Sequence, residues 1–138
     1  MKGELIINGV DAYESWGVRM GKGFLDAIDT FIPMKDYVVN SSRLEHGERI
    51  LLGTPKVAAR DVTLSFTING VSEGDYRNKR KLFEEELQKG MVQIVVPALG
   101  VEVYKLIYIG KSPSYNMNFS RTFSELSVKF REPNPKDR

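Results

Sequence analysis

The only histidine of this 138-residue chain, His46, stands in Glu45-His46-Gly47-Glu48. An imidazole between two carboxylates is the nearest the sequence comes to a metal centre or a proton-transfer pair. A metal centre would need a second nitrogen or thiolate ligand, or further carboxylates at fixed spacing, and the flanking residues supply neither. A Ser-His-Asp triad would have to use His46, and no G-x-S-x-G elbow supplies its serine. His46 therefore reads as an exposed polar loop tip. Gly110-Lys111-Ser112 has the ending of a phosphate-binding loop, but the glycine due five residues earlier is Lys105, and Pro113 blocks the helix that should follow. Gly17, Gly21 and Gly23 are spaced G-x-x-x-G-x-G, which is not the dinucleotide fingerprint. The carboxylates of Glu84-Glu85-Glu86 read as a solvated helix face rather than a catalytic pair. Asn40-Ser41-Ser42 matches a glycosylation sequon with no secretion signal to make it relevant. The reading is a protein without enzymatic chemistry, cofactor or metal.

Composition narrows the classes further. The chain is 41% hydrophobic and 28% charged, the profile of a soluble globular protein with enough residues to bury a core. Lys and Arg number 20 against 18 Asp and Glu, so the net charge of +2 is no nucleic-acid footprint. Six Tyr, seven Phe and one Trp invite comparison with the stacking platforms of single-strand binders, and Tyr104 and Tyr108 flank Lys105. With so little surplus positive charge, core packing explains these rings better. A small binding module for single-stranded nucleic acid or sugar is the alternative from another class. Cysteine is absent, which excludes disulfides, thiolate nucleophiles and Cys-based zinc sites. The apolar run near Met1 is too short for a signal peptide, and no stretch reaches the roughly 18 apolar residues of a membrane span.

The elements that would position any site centre on residues 57–96. Val62, Leu64, Phe66 and Ile68 alternate with Thr63, Ser65 and Thr67, which predicts a half-buried antiparallel strand. Ser72-Glu73-Gly74-Asp75 then reads as a helix start in which the Ser72 hydroxyl accepts the Asp75 N–H. The helix is expected over about 73–89, ending at Gly90, with Tyr76, Phe83 and Leu87 as its buried stripe. Met91-Val92-Gln93-Ile94-Val95-Val96 restarts a strand. Upstream, Leu5-Ile6-Ile7 enters an Asn8-Gly9 hairpin turn, and Val10 to Met20 reads as a returning strand bent near Gly17. Phe24 to Ile28 is either a helical turn or a strand. Downstream, 101–109 reads as a long strand, and Ser124, Leu126, Val128 and Phe130 alternate in the last one. The expected fold is mainly β (α+β), an antiparallel β-sandwich or partly open barrel with one flanking α-helix. It occupies 1–138 as a single domain, with 133–138 flexible.

Two surfaces stand out for what they could touch. Residues 34–55 read as a long hairpin arm or loop, with Arg43, Glu45, Glu48 and Arg49 as a polar rim and Ile50, Leu51 and Leu52 as an apolar centre. The helix carries Arg77, Lys79, Arg80 and Lys81 ahead of Glu84, Glu85 and Glu86. That order opposes the macrodipole, which favours acids at the start and bases at the end. Opposite patches of this kind suit complementary patches on adjacent copies, a head-to-tail contact that closes into a ring. The candidate interface residues are thus the arm set together with Arg77, Arg80, Lys81, Glu84, Glu85 and Glu86.

The order of elements also carries a resemblance. A loop-rich N-terminal third is followed by Lys56-Val57-Ala58-Ala59-Arg60-Asp61-Val62-Thr63-Leu64-Ser65-Phe66. Then come the charged helix Asp75-Tyr76-Arg77-Asn78-Lys79-Arg80-Lys81-Leu82-Phe83 and a glycine-led strand, and the chain closes with Phe123-Ser124-Glu125-Leu126-Ser127-Val128-Lys129-Phe130-Arg131-Glu132-Pro133-Asn134-Pro135. This resembles the N-terminal ring-forming domain of phage distal tail proteins, related to the phage tail tube and secretion tube superfamily. The resemblance implies a structural protein of the virion tail, made in the host bacterial cytoplasm. It implies a homo-oligomer, a hexameric ring between tail tube and baseplate or tip hub, with DNA only passing through its channel and no membrane partner. A place in the tail tube or another tail or secretion-tube ring is the neighbouring reading.

Overall fold

A computed structural model of the chain describes residues 2–36, 38–41, 47–51, 53, 55–110 and 114–138, with 38–41 and 48–51 described by backbone alone. Its longest ladder pairs β6 (Arg60–Asn69) with β10 (Phe123–Glu132) antiparallel over ten residues each. β6 follows its alternation: Val62, Leu64, Phe66 and Ile68 are buried, while Asp61 and Thr63 face water. On β10, Ser124, Val128, Phe130 and Glu132 point the same way and Leu126 is half-buried. On the outer face Ser65 and Ser127 stand opposite each other with their hydroxyls 2.9 Å apart, and Arg131 Nε donates to Asp61 Oδ1 at 2.8 Å.

Around this ladder an eight-stranded sheet curls into an open half-barrel. It comprises β1 (Ile6–Ile7), β2 (Val10–Asp11), β3 (Val18–Met20), β7 (Met91–Val95), β8 (Tyr104–Tyr108), β9 (Ser114–Met117), β6 and β10. The order is β2-β1-β7-β8-β10-β6-β3, with β9 joined to β10 beyond the reach of β8, and every pairing is antiparallel. The mainly β architecture expected from sequence, a partly open barrel with a flanking helix, is the one observed. The β1–β2 turn has φ of 52° at Asn8 and 83° at Gly9, the two positive values that a tight hairpin turn of this kind demands.

α3 (Glu73–Leu87) leaves the top of β6, crosses the hollow of the sheet and delivers the chain to β7. Ser72 caps it as expected, its Oγ accepting from Asp75 N at 3.1 Å. Asp75 reaches back to accept from Val71 N at 2.9 Å, and this bond holds its carboxyl below the usual range. Tyr76, Phe83 and Leu87 are the buried stripe. Phe83 ties the helix to the aromatic core, with its ring centroid 5.7 Å from Trp16 and 5.4 Å from Phe66, the hub, which also meets Phe24 and Phe130 edge-on.

Two expectations need correcting. Val10 to Met20 is not one bent strand. Asp11 caps a five-residue helix, α1 (Ala12–Trp16), by accepting from Tyr13 N and Glu14 N, and Gly17 ends it at φ 62° before β3 begins. The strand expected over 101–109 runs only from Tyr104 to Tyr108, because a 3-10 turn at Pro97–Leu99 and Gly100, at a positive φ of 125°, delay its start. The segment with two possible states is helical, α2 (Phe24–Ile28), burying Phe24 and Ile28.

Candidate assembly surfaces

The arm leaves the body after α2 and returns to it at β6. At its stem Met34 and Val57 form an antiparallel bridge, Lys35 N–H donates to the Lys56 carbonyl at 2.9 Å, and Ala58 N–H to the Pro33 carbonyl at 2.8 Å. Further out, β4 (Val38–Ser41) and β5 (Glu48–Leu51) pair antiparallel as a separate two-stranded sheet. Val38 stands opposite Leu51, Val39 opposite Ile50, Asn40 opposite Arg49 and Ser41 opposite Glu48. The hairpin is therefore present. Of its candidate contact residues, Arg43, Glu45 and Leu52 lie outside the described residues, as does His46, and Glu48, Arg49, Ile50 and Leu51 are placed by backbone register.

Both legs of the arm are rooted on one guanidinium. Arg60, at the inner start of β6, donates from Nη2 to the Ile28 carbonyl and from Nη1 to the Thr30 carbonyl, each at 2.7 Å. Its Nε donates to Glu132 Oε1 at 2.6 Å. Arg138 adds Nε to Glu132 Oε2 at 3.0 Å and Nη2 to Oε1 at 2.9 Å, and lies 4.7 Å above the Tyr104 ring. Burial pushes the Glu132 carboxyl up, but the hydrogen bonds from Arg138 and Arg60 outweigh it, so the net shift is downward. The fixed fork of arginine suits this task, since one planar group satisfies three acceptors at once. Nothing in the sequence reading singled out Arg60 or Glu132. The available signal was parity: each continues the inward-facing series of its strand.

The charged helix sorts into two classes of residue. Arg80 lies half-buried, 5.3 Å from the Tyr115 ring centroid and 3.7 Å from Glu84. The Tyr115 hydroxyl in turn touches that of Tyr76. Glu86 is half-buried and pairs with Lys89, a contact that lowers its carboxyl pKa. Arg77, Lys81, Glu84 and Glu85 are exposed, and Lys81 and Glu85 do not close into an ion pair. The macrodipole conflict is smaller than the sequence suggests, because the first turn holds Glu73 and Asp75, while its last turn carries no base. Beside α3, Arg80, Phe83, Leu87, Tyr108, Tyr115 and Leu126 line a small cleft of about 180 Å³.

Exposed apolar side chains mark both ends of the β6–β10 ladder. Val71 and Phe119 stand at the end bridged by Arg121 and Glu73, and Phe31 and Val101 at the end where Arg138 meets Glu102. Among the described residues no cluster of three His, Cys, Asp or Glu could hold a metal ion, and no helix is long and apolar enough to cross a membrane. What these surfaces offer is shape, charge and apolar contact.

No protein-family profile and no curated protein matches the sequence. Among solved structures, the crystal structure of the SPP1 Dit (gp 19.1) protein, described as a paradigm of the hub adsorption apparatus in phages infecting Gram-positive bacteria, matches with a TM-score of 0.60 at 16% sequence identity. The match covers 96% of this chain and 50% of that one, so this chain spans half the length of the solved protein. At such identity the likeness is one of fold, and it takes in nearly the whole of this chain.

Proposed function

We propose that this chain is a structural, non-enzymatic component of a long-tailed phage or prophage tail. In this reading it is a distal tail protein whose copies form a hexameric ring between tail tube and baseplate, with a channel for DNA. The observation that carries the reading is the fold shared along 96% of the chain with the SPP1 hub protein. The work of such a protein is mechanical, and the architecture suits it. A ten-residue ladder and an aromatic core give a stiff wall, and an arm whose described strands pair with each other and not with the main sheet can lie on a neighbour.

In the ring, the arm residues Arg43, Glu45, Glu48, Arg49, Ile50, Leu51 and Leu52 contact one neighbour, and the exposed charges of α3 contribute to the same circuit of contacts. A stable contact of this kind buries on the order of 1,600 Å². The apolar ends at Val71 and Phe119 and at Phe31 and Val101 are available to tail proteins above and below. DNA only passes through, because a chain at +2 spreads too little positive charge to hold phosphate. The ring is assembled in the host cytoplasm and ends in the virion tail. Electron microscopy of the concentrated protein tests this: six-fold rings with an open centre are expected, and isolated compact particles at every concentration would refute it.

A further inference from the structure

At the stem of the arm lies an open bowl of about 730 Å³ lined by Lys35, Lys56 and Lys136 together with Val57, Pro133 and Asn134. The bridge between Met34 and Val57 sets Lys35 directly opposite Lys56, joined by the backbone bond between them. Like charges directly opposite on paired strands destabilise the pairing. Among the described residues none of the three ammonium groups has a carboxylate partner, and the nearby Asp137 is engaged by Lys105 at 3.0 Å. Three cations with no carboxylate partner among the described residues form an acceptor for a compact acidic group.

We propose that the bowl receives the acidic end of α3 from a second copy of this chain, with Glu84 and Glu85 entering it. This rests on the ring reading above and names the charge contact within it. Among the described residues Glu85 has no side-chain partner, and Glu84 is paired with Arg80 alone, at 3.7 Å. Neither Glu84 nor Glu85 lines the bowl of its own chain: Glu84 lies over the cleft lined by Tyr108, Leu126 and Val128, and the neighbouring Glu86 bonds Asn8. A donor and an acceptor on separate surfaces of one molecule make a heterologous contact, which forms a ring where the rotation between copies closes. A polyanion such as DNA fits less well, because three lysines in one compact bowl match two carboxylates and not an extended phosphate track.

The test uses two full-length variants, Lys35→Glu/Lys56→Glu/Lys136→Glu and Glu84→Lys/Glu85→Lys, each checked for native circular dichroism and sized by analytical ultracentrifugation. Each alone should weaken assembly about tenfold or more. An equimolar mixture should restore it, since every contact then joins opposite charges again. Rescue by mixing cannot arise from misfolding. Wild-type assembly untouched by either variant, or weakened assembly without rescue, overturns the bowl contact and leaves the ring. A wild-type chain that stays monomeric overturns both. Retention of the wild type on DNA, lost in the lysine variant while assembly persists, assigns the bowl to phosphate instead and also overturns the proposal.

Discussion

Arg60 and Glu132 face each other across the last rung of the β6–β10 ladder, 72 residues apart in sequence, with Nε 2.6 Å from Oε1 and both side chains almost wholly buried. The same guanidinium holds the carbonyls of Ile28 and Thr30, from which the arm departs, so one ion pair joins the rigid sheet to the root of the extended hairpin.

Removing Arg60 leaves the buried Glu132 carboxylate to Arg138 alone and strips the Ile28 and Thr30 carbonyls of their donor. Arg60→Ala should cost about 3–5 kcal/mol in urea unfolding. Arg60→Lys should recover little of this, because one ammonium cannot span the same three acceptors. A loss below about 1 kcal/mol for Arg60→Ala would contradict the clamp.

The pair also sets an acid limit. The Glu132 carboxyl is held below its ordinary value of 4.5, so its contribution is complete above that pH and is lost as pH falls through the lower folded value. Asp61, whose carboxyl Arg131 lowers from 3.8, acts in the same direction. Denaturation midpoints should stay level from neutral pH to about pH 5 and then drop toward about pH 3, with a shallower drop in Glu132→Gln. A level midpoint across the acid range would exclude the linkage.

Gly17 is irreplaceable for a steric reason. Its φ is +62°, and an added Cβ would lie 2.2 Å from the Asn69 carbonyl oxygen. Gly17→Ala should therefore destabilise by more than about 2 kcal/mol, combining left-handed strain with a clash against backbone that cannot yield. A neutral Gly17→Ala in thermal unfolding would show that the approach of α1 to β6 is looser than described.

Phe83 touches the single tryptophan. Phe83→Ala should cost about 3–5 kcal/mol and shift Trp16 emission to the red as water reaches the ring. Unchanged emission would mean that α3 does not seal this side of the core.

Deleting residues 43–49 from the arm should leave the fold intact, because among the described residues the β4 and β5 backbones pair with each other and with no strand of the main sheet. In the proposed assembly the same deletion abolishes the ring. Rings formed by the deleted chain would remove the arm from the interface.

The body of the fold was legible because its signals are local and periodic. β6 reads from strict alternation, α3 from Ser72 and its buried stripe, and the first hairpin from Asn8-Gly9. α1 was hidden because five residues give no helical period, and Tyr13, Trp16, Val18 and Met20 mimic a strand. Only the capping Asp11 and the terminating Gly17 betray it. Arg60 and Glu132 were missed because their partnership depends on a register set 72 residues apart, although each has the parity of a core residue. The three lysines of the bowl come from three separate segments, a meeting that only the folded chain brings about.

Native mass spectrometry of the purified chain addresses self-assembly most directly. The account predicts a dominant species of six times the 15.7 kDa of one chain, falling apart as salt is raised. A single monomeric species across the accessible concentration range would contradict it.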